Sequence, residues 1–328
     1  MEITFRKEGR LFYASDEDME AIAAMEPFQR HASFHGACRQ VYSPDLERQP
    51  SDLSRKGLVQ YPGLLTAEKA GGISQLAGQI LEEKGPDGGA FGPLPSAPGE
   101  ANVTVPPDKR MTEAAFGVLD KVFCPQVVAD LEGYLGCHFR IDSVSVYRTH
   151  PVEKSTISFQ WHRDMAPMSQ VHLMVYLTPG GDECGATEFL DFQQTEEAAV
   201  QGYHYGALED RTDDIDEIFA PVGKTATVTR SEMDPGDGLI FPAPRVLHRG
   251  WLPKKGFRDV MLFLLLPGMV PWNYEVEDFG IDHMFLSADK NTLHANPFIP
   301  FNPNIVEEKA FVIEIPGDWV FLGAMFPG

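Results

Sequence analysis

The spacing of apolar positions changes along the chain from a helical period to a strand period. The apolar positions of residues 66–84 recur on one face of a helix that Thr66 can cap. A second helical pattern covers residues 112–135 and is broken at Pro125. Residues 85–108, between the two patterns, are rich in glycine and proline, which is typical of a loop or linker.

After residue 136 the apolar residues fall into short segments separated by turn-forming residues. Eight strands are expected, at residues 141–148, 155–162, 171–178, 187–191, 225–230, 238–241, 246–250 and 257–267. Helices followed by many short strands predict a mainly β protein, a barrel or sandwich with flanking helices.

We expect a single domain over residues 1–328 with three parts. Residues 1–140 form an N-terminal helical elaboration, residues 141–267 the β core, and residues 268–328 a C-terminal extension packed on that core. Residues 193–223 interrupt the core with eight acidic residues and one base, Arg211. This length predicts a lid, an excursion or a solvated loop, and a lid of this charge would favour an amine-bearing substrate.

The composition of the chain indicates which binding partners and which cellular location are expected for the protein. Lys and Arg number 27 against 48 Asp and Glu, a net charge of −21, which disfavours binding to nucleic acid or to an anionic membrane surface. No apolar stretch is long enough for a membrane span, and the first residues lack the apolar region of a secretory signal. The four scattered cysteines favour free thiols in a reducing compartment, so the predicted location is the cytoplasm.

The chemistry-bearing residues are two histidines and a carboxylate. The motifs of serine hydrolases, nucleotide hydrolases, dinucleotide-binding proteins and zinc peptidases are absent. His162 and Asp164 lie two positions apart at the end of a predicted strand, so both can reach one metal ion. His248, on the seventh predicted strand, can supply a third ligand. Two imidazoles and a carboxylate on one face of an ion leave the opposite face open, as in non-haem Fe(II) oxygenases.

Arg258 follows His248 by ten positions, beyond a turn at residues 253–256. That turn would bring the next strand back alongside the seventh, so Arg258 would return near the level of His248. A guanidinium there can bind a carboxylate through two hydrogen bonds. The alternative for Arg258 is a surface salt bridge near Asp259.

As a set, these residues resemble the Fe(II)/2-oxoglutarate-dependent dioxygenases. The shared pattern is His162-x-Asp164, a distant His248 and then Arg258, with the flanking sequences VHLMVYLT at 171–178 and PGDGLIF at 235–241. The sequence is most similar to the branch of prolyl hydroxylases and small-molecule hydroxylases. The resemblance covers residues 141–267, and it implies a double-stranded β-helix, or jelly-roll, core.

The resemblance also implies roles for individual residues. His162, Asp164 and His248 would bind Fe(II), and Arg258 and Tyr176 would bind the 2-oxoglutarate co-substrate. Tyr176 has packing in a half-buried strand as its alternative role. Some branches place a serine two positions after the arginine, but this chain has Val260 there, so the second group on the carboxylate must come from elsewhere.

The implied reaction consumes O2 and 2-oxoglutarate, releases succinate and CO2, and oxidises an unactivated C–H bond, with ascorbate as a supporting reductant. Hydroxylation of a small molecule or amino-acid-derived substrate is the default, with desaturation or oxidative cyclisation in natural-product biosynthesis as further outcomes. Asp164 argues against halogenation, because halogenase relatives have a small residue in its place. The alternatives are a protein- or peptide-modifying hydroxylase and a non-catalytic β-helix binding protein.

Three residues are candidate substrate contacts: Tyr147, Arg249 and Trp251. His172 shares a predicted strand face with Tyr176 and is a further candidate for the pocket. The sequence predicts no oligomeric state.

Overall fold

A computed structural model describes residues 5–8, 11–14, 46, 50–85, 101–152, 157–164, 170–203, 211–268, 271–273 and 312–313. Most of the N-terminal 45 positions and of the predicted C-terminal extension therefore lie outside the described residues. The predicted division into three parts stays a prediction. No helix in the described ranges is long and apolar enough to cross a membrane.

Helices fill most of the described part of the chain before the core strands. They are α1 (Asp52–Lys56), α2 (Ala67–Lys84), α3 (Lys109–Phe116), α4 (Leu119–Val122) and α5 (Pro125–Leu135), followed later by α6 (Phe192–Val200) and α7 (Asp216–Phe219). The predicted first helix is confirmed, because the Thr66 hydroxyl caps α2 by accepting the Lys69 N–H at 3.2 Å. The second helical pattern is divided among α3, α4 and α5, and α5 begins at the proline that was expected to break it.

The core strands form two antiparallel sheets. The strands are β3 (Val59–Tyr61), β4 (Asn102–Thr104), β5 (His138–Thr149), β6 (Val171–Tyr176), β7 (Ala186–Phe189), β8 (Thr229–Arg230), β9 (Gly238–Phe241), β10 (His248–Trp251) and β11 (Arg258–Gly268). The larger sheet has the order β3-β9-β6-β11-β5-β4, and the smaller one the order β10-β7-β8. A separate sheet contains β1 (Phe5–Glu8), β2 (Leu11–Ala14) and β12 (Val312–Ile313).

Between β6 and β11 the chain passes repeatedly from one core sheet to the other. β6, β9 and β11 belong to the larger sheet, whereas β7, β8 and β10 belong to the smaller one. This antiparallel alternation is the topology of a double-stranded β-helix, and the predicted fold class is confirmed.

Alternating side chains on the strands build two cores. Outward-facing residues of the larger sheet, such as Leu173 on β6 and Phe263 on β11, pack with α2 and α5 in one buried cluster. Inward-facing residues, such as Met174 on β6 and Val260 on β11, form a second cluster with Phe241 between the sheets. Burial of the outer face under helices leaves the space between the sheets for the site.

Most of the predicted core strands form, but two strand predictions need correction. The predicted pairing of the eighth strand with the seventh is also wrong, because β10 pairs with β7 in the smaller sheet and β11 pairs with β5 and β6 in the larger one. The strand expected at 155–162 is replaced by a short 3-10 turn, Ile157–Phe159, and a single β-bridge at His162. Residues 153–156 lie outside the described ranges. The strand expected at 225–230 is reduced to Thr229–Arg230. In both places an apolar-polar alternation was present without a partner strand long enough to pair with it.

The acidic insertion has helices in its described part. It contains most of α6, all of α7 and a 3-10 turn at Ala220–Val222, while residues 204–210 lie outside the described residues. Tyr203, Ile215 and Phe219 of the insertion pack with Trp161 and Leu247 in a third buried cluster. The insertion is therefore anchored beside the two segments that carry His162 and His248.

Candidate metal centre

The predicted metal ligands meet at one end of the smaller sheet. His248 opens β10, and its backbone pairs with that of His162 through two hydrogen bonds with N–O distances of 2.9 and 3.0 Å. Two residues further, the Asp164 N–H donates to the Ala243 carbonyl at 3.1 Å, which holds the chain beside the segment preceding β10. The structure thus brings together all three residues of the predicted set.

The distances between the side chains suit a single ion. Oδ1 of Asp164 lies 3.3 Å from Nε2 of His162 and 3.7 Å from Nε2 of His248. One ligand atom from each of the three residues lies within 4.8 Å of the others. Ligand atoms bound about 2 Å from one ion are separated from one another by roughly 3 to 4 Å, so the donor set fits a divalent metal.

Hydrogen bonds at the far side of each ring fix which nitrogen faces the centre. Nδ1 of His162 donates to the Gln160 carbonyl at 2.7 Å, and Nδ1 of His248 donates to the Val246 carbonyl at 2.8 Å. Each ring therefore carries its proton on Nδ1 and presents the lone pair of Nε2 toward Asp164. This is the tautomer that a metal-binding histidine requires.

The electrostatics of the centre also suit a cation. Burial lowers the pKa of His248 to about 3, and the neighbouring His162 adds to the effect. Burial raises the pKa of Asp164, but the positive charge of the neighbouring histidines, when they are protonated, outweighs burial and holds that pKa below its usual range. At neutral pH the site consequently offers a carboxylate and a neutral imidazole on β10.

Arg258 lies in the space between the two sheets. On β11 it pairs with Thr149, and it shares the inward face with Val260 because alternate residues of a strand point the same way. Its side chain is buried, with Nη1 donating to the Ala186 carbonyl and Nη2 to Thr149 Oγ1 at 3.4 Å. Nε has no hydrogen-bond partner among the described residues. A buried cation in this condition favours an anionic ligand.

The alternative of a salt bridge near Asp259 is wrong for Arg258. Asp259 lies on the opposite face of β11, where both of its oxygens accept hydrogen bonds from Arg148 at 2.7 Å. Oδ2 also accepts from Ser74 Oγ of α2 at 2.6 Å. The carboxylate next in sequence to Arg258 is thus bound to the helical layer.

Two tyrosines flank Val260 on the inward face, Tyr147 on β5 and Tyr176 on β6. The Tyr176 hydroxyl is bonded to Thr187 Oγ1 and Ser231 Oγ, each at 3.0 Å. Burial raises the pKa of Tyr147; the charge of Arg258 opposes this rise, and Asp164 adds to it. Tyr147 therefore lies close enough to Arg258 and to Asp164 for both charges to act on its hydroxyl.

The other predicted substrate contacts, Arg249 and Trp251, lie on the face of β10 opposite His248. Nε of Arg249 donates to Glu188 Oε2 at 2.6 Å, and Nη1 donates to the Asp213 carbonyl at 2.6 Å. The Trp251 ring lies under the guanidinium of Arg230, 4.4 Å from ring centroid to Cζ. The substrate role of both residues stays a prediction.

The predicted ligand set leaves out one residue at the centre, His172. Its Nε2 lies 3.5 Å from Oδ2 of Asp164. Alternation along β6 was the available signal, because it puts His172 on the same face as Met174 and Tyr176. The contact itself joins two separate segments of the chain, and no local pattern in the sequence specifies it.

Comparison with known proteins gives distant likenesses of fold. No family model matches the chain, and no curated protein sequence matches it. Among solved structures, the non-heme alpha-ketoglutarate-dependent epimerase SnoN from nogalamycin biosynthesis is 15% identical, with a TM-score of 0.47, covering 70% of this chain and 81% of that one.

Two further structures are similar at the same level. EctD from S. alaskensis, in its apoform, is 13% identical, with a TM-score of 0.46 and coverage of 68% of this chain and 81% of that one. HygX from Streptomyces hygroscopicus, with nickel and 2-oxoglutarate bound, is 13% identical, with a TM-score of 0.43 and coverage of 67% and 86%. At these values the likeness says nothing about the reaction of this chain, and its site is interpreted from its own residues.

Proposed function

We propose that this protein is an Fe(II)- and 2-oxoglutarate-dependent oxygenase acting on a small molecule. The observation that carries the proposal is the arrangement of Asp164 Oδ1 between the Nε2 atoms of His162 and His248, with the buried Arg258 guanidinium facing the same space between the sheets. When bound, Fe(II) would couple the oxidative decarboxylation of 2-oxoglutarate by O2 to oxidation of a substrate C–H bond.

His162, Asp164 and His248 would hold the metal. Their three donor atoms carry one negative charge in total, which suits a divalent ion that must also accept an anionic co-substrate. The backbone carbonyls of Gln160 and Val246 accept hydrogen bonds from Nδ1 of the two rings, which would leave Nε2 of each ring free to bind the ion. The arrangement supports three protein ligands and open positions on the remaining side.

Arg258 would bind the carboxylate of 2-oxoglutarate that lies away from the metal. Its guanidinium is held by the Ala186 carbonyl and Thr149, which orients it while Nε remains available in the described part of the chain. We assign the second contact to the Tyr147 hydroxyl, because the Tyr176 hydroxyl is already bonded to Thr187 and Ser231. This assignment supplies the helper that Val260 does not provide.

The pocket walls would keep water from the reacting groups. Phe189, Phe241 and Val260 are buried between the sheets around the site. The insertion lies against the segment that carries His162, because the backbone N–H of Trp161 donates to the Thr212 carbonyl at 2.9 Å. These contacts support a specificity role for the insertion. Hydroxylation is the default outcome, with desaturation and oxidative cyclisation open to the same chemistry.

Binding of the co-substrate tests the proposal without turnover. Anaerobic calorimetry with 2-oxoglutarate should show binding to protein loaded with Mn(II) and much weaker binding to metal-free protein, since one end of the ligand rests on the ion. Arg258→Lys should weaken this binding. Arg148→Lys, which changes an arginine on the opposite face of the sheet, is the matched control for that variant. Absence of 2-oxoglutarate binding with and without Mn(II) would contradict the proposal.

A further inference from the structure

A third histidine, His172, lies near the second oxygen of the Asp164 carboxylate. Oδ1 of Asp164 faces Nε2 of His162 and of His248, whereas Oδ2 lies 3.5 Å from Nε2 of His172. His172 lies on β6 with its ring against Phe241, at a centroid distance of 5.4 Å, and its side chain is 11% exposed. The two oxygens of one carboxylate therefore have different neighbours.

The two oxygens near its ring nitrogen indicate that His172 is a donor. Its Nε2 lies 3.2 Å from Oε1 of Gln170 as well as 3.5 Å from Oδ2 of Asp164. Oxygens of a carboxylate and of an amide carbonyl only accept hydrogen bonds, so a lone pair on Nε2 would be repelled by both. The proton of His172 consequently belongs on Nε2, whereas in His162 and His248 it is on Nδ1. The position of the ring proton therefore distinguishes His172, a hydrogen-bond donor, from His162 and His248, which present a lone pair as metal ligands do.

We propose that His172 is a positioning residue for the metal ligand Asp164, an inference that rests on the proposed function. Its Nε2–H, which is hydrogen-bonded to Gln170 Oε1, would attract Oδ2 across the remaining 3.5 Å and so leave Oδ1 as the oxygen that faces the metal position. Asp164 needs such support because its side chain is 31% exposed and lies outside any strand. A carboxylate held in this way binds the ion through one oxygen, which keeps a coordination position open for co-substrate or O2.

The test is Co(II) binding to the metal-free full-length protein, followed by the visible absorption of the bound ion. His172→Phe retains a ring of similar size but no donor, and His172→Gln places an amide N–H near the original Nε2. We expect His172→Phe to weaken Co(II) binding by about 10- to 100-fold and to change the spectrum, and His172→Gln to restore affinity to within about threefold. His138→Gln, a histidine on β5 paired with Glu132, is the matched control.

The outcomes separate this inference from the proposed function. If wild-type protein does not bind Co(II), the metal site and the role of His172 both fail. If the wild type binds and His172→Phe binds equally well, the positioning role alone is wrong. If His172→Gln loses as much affinity as His172→Phe, the residue acts as a ligand or as packing, which also overturns it. His172→Met, a second variant without a donor, replaces the Phe variant if thermal unfolding shows that the ring disrupts the fold.

Discussion

His162 and His248 are joined by a two-hydrogen-bond backbone bridge, although they lie on segments far apart in the sequence. Their ring centroids are 4.4 Å apart. The bridge takes the place of the expected second core strand. It fixes the two imidazoles relative to each other without a long ladder, so the geometry of the centre depends on a few backbone contacts.

Removal of either histidine should abolish tight metal binding. His162→Ala and His248→Ala each delete one of the three proposed ligands. We expect Co(II) affinity to fall by more than about 100-fold, which exceeds the usual effect of losing a residue that only supports a ligand. Equilibrium titration of metal-free protein measures this loss. His138→Ala should leave the affinity unchanged, and an equal loss in that variant would mean that the effect is not local.

Arg258→Lys should raise the KM for 2-oxoglutarate by about 10- to 100-fold, because a point charge replaces a planar guanidinium in a buried site. The kcat should change less, since Arg258 is not one of the three proposed metal ligands. Steady-state kinetics with varied 2-oxoglutarate measure both constants. An unchanged KM would exclude Arg258 as the anchor.

Substitution of Tyr147 and substitution of Tyr176 should have different effects. Tyr147→Phe should raise the KM for 2-oxoglutarate several-fold, because its hydroxyl is assigned to the co-substrate. Tyr176→Phe removes two internal hydrogen bonds, to Thr187 and Ser231, and should lower the free energy of unfolding by about 1 kcal/mol with a smaller effect on KM. Kinetics and urea denaturation of both variants provide the comparison. The reverse pattern would assign the contact to Tyr176.

Asp259→Asn should lower the stability of the fold and leave metal binding unchanged. The substitution removes the fully buried carboxylate that pairs with the Arg148 guanidinium, which is itself 14% exposed, so we expect a loss of about 3 kcal/mol in the free energy of unfolding. Urea denaturation measures the loss, and Co(II) affinity should remain that of the wild type. A large fall in metal affinity in a folded variant would mean that the two faces of β11 are coupled.

Local patterns in the sequence predicted those parts of the fold that have local causes. The helix α2 follows from a capping threonine and an apolar face, and Gly238–Phe241 follows from a turn and a short apolar run. The turn before that strand needs glycine, because Gly236 has a φ of 100° and a Cβ there would meet the Leu65 carbonyl oxygen at 2.1 Å. The expected strand at 155–162 was wrong, because alternation cannot show whether a partner strand is present.

For the site, too, the sequence predicted the features that have local causes and missed the tertiary contacts. Residue types and spacing suggested His162, Asp164, His248 and Arg258, and the structure brings the first three within ligand distance of one another. The contact of His172 with Asp164 and the engaged state of the Tyr176 hydroxyl depend on how distant segments cross. Such contacts are tertiary and have no periodic signal in the sequence.

The central claim is tested most directly by succinate formation. Wild-type protein incubated aerobically with Fe(II), ascorbate and 2-oxoglutarate should release succinate, even slowly and without a known substrate, and Asp164→Ala should release none above the protein-free background. Succinate is quantified by mass spectrometry against an isotope-labelled standard. Equal succinate from the wild type and Asp164→Ala, or none from the wild type when metal and co-substrate are shown to be bound, would contradict the assignment as a 2-oxoglutarate-dependent oxygenase.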